Sequence, residues 1–219
     1  MGGLHRSATS ADSVPEVPDF SSPLNEADAA PSPFDQFGAW YADAASVVRV
    51  PEAVAIASAS LDARPSVRMV LMKGWDEAGF VFYTQYRSRK AEELDANPRA
   101  ALLFHWDELG RQVRIDGAVE RVTANESDSY FATRPRGAQI GAHASYQSQP
   151  VHGREVLDAR VREISATYGN GDIPRPPTWG GYRLVPDAFE FWQNRDDRLH
   201  DRLRYTAANG AWSIDRLQP

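Results

Sequence analysis

The sequence predicts a β-rich α+β protein in which an antiparallel barrel, closed or half-closed, carries helices on its outside. Three observations favour this fold class. Short segments rich in β-branched and aromatic residues recur from residue 54 onwards. The connections at residues 62–65, 76–79 and 107–110 are short and turn-like, as in antiparallel hairpins. Helical patterns interrupt the strands, which places the helices around the sheet rather than within it.

The strand segments follow one another along most of the chain. They are predicted at residues 54–60, 66–73, 80–84, 100–106, 112–122, 181–185, 188–193, 202–205 and 211–217. An Ala-Asn-Gly turn joins the last two segments. No internal repeat is found, so the barrel is expected to form from one continuous set of strands.

Four helices are predicted. The first runs from Phe34 to about Val48, with aromatic residues at helical spacing. The second begins near Ser88 and ends before residues 97–98, which read Asn-Pro. The third begins at Thr123, where Glu126 completes a capping box, and ends near residue 133. The fourth covers residues 154–168 and ends at a Gly-Asn-Gly sequence.

The N-terminal region differs in composition from the rest. Residues 1–33 are rich in Ala, Ser, Pro and acidic residues without apolar periodicity, which predicts a disordered acidic tail before one domain at residues 34–219. Residues 1–35 contain six acids and one base, a net charge of −5, whereas the whole chain carries −6. The remainder therefore has a net charge close to −1, which does not indicate a general nucleic-acid-binding surface.

Several classes of protein are excluded by the residues present. No apolar run is long enough for a membrane span, and no secretory signal is visible, so a cytoplasmic protein is expected. The absence of Cys excludes disulfides, thiolate metal sites and a Cys nucleophile. The five His residues show no metal-ligand spacing, and no nucleophile elbow, P-loop or dinucleotide fingerprint occurs.

The basic residues are concentrated in a few motifs. At strand period, Arg198, His200, Arg202 and Arg204 would share one face of a strand, with Leu199, Asp201, Leu203 and Tyr205 on the other. Such a row of cations is unfavourable unless acids or an anionic ligand neutralise it. Only two Lys residues, Lys73 and Lys90, occur among 24 basic residues. This indicates either compositional bias or positions that need a compact point charge.

Two motifs indicate phosphate binding. Arg89 and Lys90 fall in the first turn of the second helix, where cations oppose the helix dipole unless an anion lies there. A solvated helix start is the alternative. Tyr130 and Arg134 are neighbours at i,i+4 and form either a second phosphate clamp or a surface hydrogen bond. Arg68 and Lys73 would face opposite sides of a regular strand, so they reach one site only if the strand bends, or else serve two sites on either side of it. Two anion sites without a nucleophile suggest a phosphate-bearing organic cofactor.

A series of motifs in order resembles the pyridoxamine 5′-phosphate oxidase family, flavin enzymes of vitamin B6 metabolism. The resemblance runs from about Phe34 to Pro219. The motifs lie at residues 68–73 (RMVLMK), 82–84 (FYT), 88–90 (SRK), 110–112 (GRQ), 134–142 (RPRGAQIGA), 145–148 (SYQS), 179–182 (WGGY), 190–193 (EFWQ), 198–202 (RLHDR) and 215–219 (DRLQP).

This resemblance implies an antiparallel FMN-binding split β-barrel with flanking helices, working as a homodimer with FMN between subunits. The implied FMN contacts are Arg68, Lys73, Tyr83, Thr84, Arg89, Lys90 and Gln112, together with Gln147, Ser148, Trp192 and Arg202 from across the interface. The implied substrate phosphate contacts are Lys73, Tyr130 and Arg134, with Arg198 and His200 as catalytic residues against the pyridine ring. Arg198 would orient the substrate, and His200 would relay a proton or hold a substrate oxygen.

The activity implied is oxidation of pyridoxamine 5′-phosphate and pyridoxine 5′-phosphate to pyridoxal 5′-phosphate, with O2 as acceptor and H2O2 as product. Two alternatives remain: an FMN oxidase of another aromatic, such as a phenazine precursor, and a non-catalytic flavin- or pyridoxal-phosphate-binding protein. Two departures from the family pattern stand beside the resemblance. Ala138 replaces a Ser that often contacts phosphate, and residues 1–33 lack the Arg/Tyr segment that can fold over the substrate.

Overall fold

Residues 23–219, which a computed structural model describes, form one antiparallel sheet of eight strands with five helices. The strands are β1 (Ala53–Ala59), β2 (Pro65–Asp76), β3 (Gly79–Gln85), β4 (Arg99–Trp106), β5 (Arg111–Arg121), β6 (Trp179–Gln193), β7 (Asp201–Ala208) and β8 (Ala211–Arg216). The helices are α1 (Pro33–Val47), α2 (Arg89–Ala96), α3 (Ala124–Thr133), α4 (Arg136–Ala144) and α5 (Arg154–Tyr168). Within these residues no helix has the length and apolarity needed to cross a membrane.

The sheet closes on itself. Its strand order is β3-β2-β1-β4-β5-β6-β7-β8, and β3 also pairs with β6. Strands β1 to β6 therefore form a closed six-stranded barrel, and β7 and β8 extend from its edge at β6. The predicted antiparallel barrel is confirmed, because every strand pair is antiparallel and the short predicted turns are hairpins. Closure removes the unpaired edge that β3 would otherwise expose, so that β8 is the remaining edge strand of the described sheet.

Helix α1 supplies aromatic side chains to the barrel core. Ser32 caps the helix by accepting the Phe34 N–H, and Pro33 occupies the first turn, where its missing N–H costs nothing. Phe37 is fully buried, with its ring centroid 4.9 Å from that of Phe80 in an edge-to-face contact. Each such buried ring contributes roughly 2–3 kcal/mol by removal of apolar surface from water. Helix α1 is thus fixed against the barrel core by its apolar face.

The two strands predicted at residues 181–185 and 188–193 are one strand, β6, of 15 residues. Pro186 suggested a break because proline cannot donate to a ladder. The structure accommodates it with a register shift between Asp116 and Gly117 on the paired strand β5. Gly117 fits this irregularity because a Cβ there would lie 2.2 Å from the Val185 carbonyl oxygen. The strand therefore continues through the proline and connects both halves of the sheet.

Helix α4 was not predicted. It follows directly on Pro135, and its Gly137 and Gly141 lower helix propensity, so local sequence gives little signal for it. Burial of Ile140 and Ala142 stabilises the helix instead, since both pack into a second apolar cluster with Phe131. The four predicted helices are present close to their predicted bounds. Tertiary packing therefore outweighs propensity at α4.

The segment before α1 differs from the expected tail. Leu24 is only 8% exposed, and the Arg216 guanidinium pairs with Glu26 at 2.7 Å. The Tyr205 hydroxyl donates to the Ala30 carbonyl at 2.8 Å. Residues 23–32 therefore lie against β7 and β8, held by one apolar side chain and by polar contacts that lack periodicity. The remainder of the predicted tail, residues 1–22, lies outside the described residues.

We expect Leu24→Ala to lower the free energy of unfolding by about 2–3 kcal/mol, because a buried Leu loses apolar contact and leaves a cavity. Urea unfolding of the full chain measures this change. The matched control is Leu61→Ala, since Leu61 is 79% exposed and should shift stability by less than about 0.5 kcal/mol. Equal stability of both variants would contradict the packing of residues 23–32 described above.

Candidate active site

One cavity of about 420 Å³ lies between the barrel and helices α3 and α4. We call it the main cavity. Its lining includes predicted site residues from five separate motifs, together with Tyr130: Lys73, Tyr83, Thr84, Lys90, Arg134 and Gln147. A smaller cleft of about 390 Å³, here called the phosphate cleft, is lined by Arg68, Arg89, Lys90, Gln147 and Ser148 among others. Lys90 and Gln147 line both spaces, so the two are adjacent.

Lys90 is a buried cation without an acidic partner among the described residues. Its side chain comes from the first turn of α2, and the residue is only 6% exposed. The Nζ donates to Gln147 Oε1 at 2.7 Å and to Thr84 Oγ1 at 3.0 Å, both neutral acceptors. Burial, followed by repulsion from Arg68, lowers the pKa of Lys90 to about 8. A charge held this way is stabilised when an anion enters beside it.

Glu93, one turn further along α2, neutralises the two arginines beside Lys90. Its Oε1 accepts from Arg89 Nε at 2.8 Å and its Oε2 pairs with Arg68 Nη2 at 3.1 Å. Burial alone would raise the pKa of Glu93. Hydrogen bonds from Ser58, Ser66, Arg89 and Arg68 outweigh that effect and hold the pKa at about 2. Arg68, Arg89, Lys90 and Glu93 together carry a net charge of +2, which matches a phosphate monoester dianion.

A second cation of the main cavity also lacks a carboxylate. Arg134 follows α3 directly, its Nη1 is buried without a hydrogen-bond partner, and no described acid forms an ion pair with it. Burial lowers the pKa of Arg134, and Tyr130 opposes that shift. An unpaired buried donor is costly, so the geometry favours an anionic group here. The predicted neighbours Tyr130 and Arg134 thus line one cavity rather than the outer surface.

Three parallel rings form one wall of the main cavity. Tyr83 stacks on Tyr130 with ring centroids 4.0 Å apart, and on Trp179 at 5.4 Å. Burial raises the pKa of Tyr83 to about 12, with Glu126 as a further cause, so its hydroxyl stays protonated at neutral pH. Gly181 makes room for this stack, because a Cβ there would lie 2.8 Å from the Tyr83 ring. The wall is therefore aromatic, and the hydroxyl groups of Tyr83 and Tyr130 are among its polar groups.

Lys73 lies at a β-bulge and lines the main cavity together with Met69 and Leu71, which precede it at strand period. Met72 pairs with Phe82 and Gly74 with Val81, so Lys73 is the extra residue that the register shift inserts into β2. Arg68 and Lys73 nevertheless serve two adjacent spaces rather than one site. Lys73 lines the main cavity, whereas Arg68 lines the phosphate cleft. Lys73 Nζ lies 3.9 Å from Glu52 Oε1, a weak pairing that leaves it available to a ligand.

Gln147 and Ser148 differ from the predicted arrangement. The resemblance placed them across the subunit interface, but the structure puts both beside Lys90 of the same chain. Ser148 has a φ of 71°, a left-handed conformation that is strained for a residue with a side chain. Of the four such non-glycine residues in the described chain, Ala63 and Asn209 lie at hairpin turns, and Ser148 and Arg198 are predicted site residues. Such strain is concentrated at functional sites.

The other predicted FMN contacts form a separate group on the outer face of the sheet. Gln112, Trp192 and Arg202 are cross-strand neighbours on β5, β6 and β7. None of the three lines the main cavity or the phosphate cleft. The His200 ring lies 4.6 Å from that of Trp192, and its Nδ1 accepts the Arg195 backbone N–H. A neutral His200 therefore carries its proton on Nε2, which makes that nitrogen a donor.

The predicted strand face from Arg198 to Arg204 is only partly present. Strand β7 begins at Asp201, and Arg198 lies in the preceding turn with a φ of 64°. Leu199 is 67% exposed rather than packed on the core. Asp197 closes the turn by accepting the Leu199 N–H at 2.9 Å. Arg198 and His200 therefore project from a turn beside Trp192, and only Arg202 and Arg204 follow strand alternation.

Two residues of the site were not assigned from the sequence. Glu93 had a visible signal, since it stands four residues after Arg89 on one helix, where opposite charges meet. Trp179 was noted only as part of a motif. Its contact with the rings of Tyr83 and Tyr130 joins β6, β3 and α3, which no local pattern indicates.

Sequence comparison identifies the relatives of this chain. Residues 42–168 match the profile described as pyridoxamine 5′-phosphate oxidase. The chain belongs to the pyridoxamine 5′-phosphate oxidase family. Residues 179–219 match the pyridoxine 5′-phosphate oxidase C-terminal dimerisation region, which here comprises β6 to β8.

Family relatives are similar over most of the chain. A protein from Bordetella petrii named pyridoxine/pyridoxamine 5′-phosphate oxidase is 59% identical, with 90% of this chain and 94% of the relative covered. One of the same name from Burkholderia vietnamiensis is 56% identical, covering 90% and 93%. The crystal structure of PhzG from Burkholderia lata, in complex with tetrahydrophenazine-1-carboxylic acid, has a TM-score of 0.84 at 35% identity, covering 92% and 96%. The split-barrel prediction is thereby confirmed.

Proposed function

We propose that this family member is an FMN-dependent oxidase that converts pyridoxamine 5′-phosphate and pyridoxine 5′-phosphate to pyridoxal 5′-phosphate, with O2 as acceptor and H2O2 as product. The observation that carries this proposal is a pair of cations in one cavity, the buried Lys90 and the half-buried Arg134, neither with an acidic partner among the described residues. Two separate anion positions fit two phosphate esters, one on a cofactor and one on a substrate. The names of the relatives support the same activity.

The residues of the phosphate cleft fit FMN. Lys90 and the two arginines supply positive charge, Glu93 reduces it to +2, and Ser148 adds a hydroxyl. The start of α2 contributes the positive end of a helix dipole. Gln147 lines both this cleft and the main cavity, and Thr84 lines the main cavity; both accept a hydrogen bond from Lys90. These groups would bind the FMN phosphate at the mouth of the main cavity, which Lys90 and Gln147 also line.

The substrate phosphate would bind Lys73, Tyr130 and Arg134, which meet at the other side of the main cavity. Ala138 lines the cavity without a hydroxyl, so these three side chains must supply the recognition. Bound FMN would supply the redox chemistry, in which two electrons and two protons leave the substrate and O2 is reduced to H2O2. The protein holds the substrate ring, excludes water through its aromatic wall and fixes charge around both phosphates.

We infer that the active protein is a homodimer with shared sites. The outer face of β2 exposes Val67, Met69 and Leu71 by 68%, 62% and 44%. Ala55 joins Met69 to Leu103 on this face, and the row containing Gln112, Trp192 and Arg202 lies two residues further along it. An apolar patch of this kind is typical of a protein interface. Its continuity with Gln112, Trp192 and Arg202 lets one subunit complete the other's phosphate cleft.

Mixed dimers test this arrangement. Lys90→Glu and Arg202→Met should each be inactive alone, because each removes a different half of the shared site. Unfolding and refolding them together gives heterodimers in which one of the two sites is intact. A random mixture should therefore recover about a quarter of the wild-type activity, since half the dimers are mixed. Mixing Lys90→Glu with Lys90→Met should recover none. Recovery in neither mixture would contradict the shared site.

The pKa of Lys90 predicts how FMN binding depends on pH. Its ordinary pKa is 10.5 and burial lowers it to about 8, so the free protein loses this charge above pH 8. The FMN dissociation constant should rise up to tenfold per pH unit above 8. The free energy of unfolding of the FMN-free protein should change in the opposite direction to FMN affinity. Between about pH 8 and 10.5 the unfolded chain binds more protons than the folded chain, so stability increases with pH. Lys90→Arg, which remains charged, should show a flat profile for both quantities.

Peroxide release tests the function directly. Purified protein loaded with FMN should form H2O2 with pyridoxine 5′-phosphate and pyridoxamine 5′-phosphate, and far more slowly with unphosphorylated pyridoxine. The likeness to PhzG makes oxidation of a phenazine precursor the second candidate. If the protein shows a flavin spectrum but releases no peroxide with any of these compounds, the result would favour the alternative of a flavin-binding protein without catalytic activity.

A further inference from the structure

We propose that Trp179 is a positioning residue that holds the Arg134 guanidinium by its ring face, so that the N–H groups of Arg134 remain available to the substrate phosphate. This inference rests on the proposed function and adds to it a residue that sets the preference for phosphorylated substrates. Arg134 Cζ lies 4.6 Å from the centre of the Trp179 ring and 5.5 Å from that of Phe131. Both distances are within the range of cation–π attraction.

Arg134 differs from the other arginines of the site in the interaction that fixes its guanidinium. Arg68 and Arg89 both donate N–H groups to the Glu93 carboxylate. Arg134 has no such pairing among the described residues, and its Nη1 is buried without an acceptor. The N–H groups of a guanidinium lie in its plane, whereas aromatic rings attract its face. Contact with a ring therefore fixes the position of Arg134 and leaves its donors free for a ligand.

Trp179 is itself held rigidly. It is 5% exposed at the first position of β6, where its backbone N–H donates to the Pro176 carbonyl at 3.0 Å. Its own carbonyl accepts from Arg175 Nη1 at 2.6 Å. Its ring lies nearly parallel to those of Tyr83 and Tyr130, with interplanar angles of 9° and 8°. Trp179 thus links the barrel to both members of the predicted phosphate clamp, Tyr130 and Arg134.

The test compares Trp179→Leu with a matched control, Trp40→Leu. Trp40 is also 5% exposed and also carries a guanidinium, that of Arg111, 4.5 Å from its ring, but it does not line the main cavity. We expect Trp179→Leu to raise KM for pyridoxine 5′-phosphate and the dissociation constant of pyridoxal 5′-phosphate by about tenfold. The value of kcat should stay within about twofold, and the FMN dissociation constant should not change. Trp40→Leu should leave all of these constants near wild type.

Two further measurements separate positioning from direct contact. Binding of unphosphorylated pyridoxal should not weaken in Trp179→Leu, because only the phosphate meets Arg134. In a double-mutant cycle, Trp179→Leu should have no further effect on pyridoxal 5′-phosphate binding once Arg134 is replaced by Ala. Trp179→Phe keeps a weaker aromatic face and should raise the dissociation constant about threefold, which preserves the test if the Leu variant unfolds.

The outcomes are distinct. Equal weakening of pyridoxal and pyridoxal 5′-phosphate binding would mean that Trp179 contacts the pyridine ring, and would overturn the inference. Unchanged constants in a folded Trp179 variant would overturn it as well. Failure of the proposed function differs from both, because the wild-type protein would then release no peroxide with pyridoxine 5′-phosphate.

Discussion

Lys90→Glu should raise the FMN dissociation constant by about a thousandfold. The substitution removes a buried cation and places a carboxylate where a phosphate dianion is expected, and breaking a buried charge pair typically costs 2–5 kcal/mol. Quenching of flavin fluorescence during titration of the FMN-free protein measures the constant. Arg64→Glu is the control, because the Arg64 side chain is 81% exposed and pairs with Asp62 outside both cavities. An FMN affinity within threefold of wild type would place the phosphate elsewhere.

Lys90→Met adds a result that separates binding from stability. Methionine has a similar length but no charge, so the burial penalty that lowers the Lys90 pKa is removed. We therefore expect the FMN-free variant to melt at a higher temperature than FMN-free wild type, although it binds FMN more weakly. Opposite changes in stability and binding are typical of residues retained for function. A melting temperature below that of wild type would show that Lys90 stabilises the fold.

The parts of the fold that the sequence predicts are those with local signals. The Thr123 cap accepts the Glu126 N–H at 3.1 Å, as the capping sequence indicated, and α5 begins and ends at its predicted residues. Helix α2 begins after Ser88, which places Lys90 in its first turn. What local pattern could not indicate is the burial of Lys90, because that depends on Gln147, 57 residues away.

The strand alternation predicted around Arg198 failed for a physical reason. Alternation requires extended backbone, but Asp197 caps a turn there, and Arg198 adopts a left-handed conformation. Asp-rich sequences favour such turns over strands, because their side chains bond to nearby backbone N–H groups. The sequence of residues 195–198, Arg-Asp-Asp-Arg, carried this signal beside the apparent period of two. The sequence therefore indicated the cluster of charged residues correctly, but it indicated an extended strand where the backbone forms a turn.

The same turn makes Arg198 a strong candidate for catalysis. An arginine at a φ of 64° costs about 1 kcal/mol or more, which the turn must offset. Arg198 is exposed, so stability alone does not explain its position. It lies two residues from His200, whose ring contacts Trp192 in the group that faces the proposed interface. In a homodimer with shared sites, Arg198 and His200 would therefore approach the main cavity of the other subunit.

Arg198→Leu should lower kcat/KM for pyridoxine 5′-phosphate by about two to four orders of magnitude, the range typical of losing one positioned electrostatic group. The flavin spectrum and the melting temperature should change little, since the exposed guanidinium supports neither. Leu199→Ala, in the same turn and 67% exposed at the replaced side chain, should retain near-wild-type turnover. Near-normal turnover by Arg198→Leu would refute the assignment and favour a substrate other than pyridoxine 5′-phosphate.

His200→Asn separates the two roles open to the imidazole. Its Nδ1 accepts the Arg195 N–H at 3.1 Å, so neutral His200 can act only as a donor through Nε2. If it holds a substrate oxygen, Asn should retain part of that hydrogen bond, and kcat/KM should fall by about tenfold with an unchanged pH profile. If it transfers a proton, the loss should be larger and the pH–rate profile should lose one limb. Because Nδ1 is already engaged with the backbone, we expect the first result.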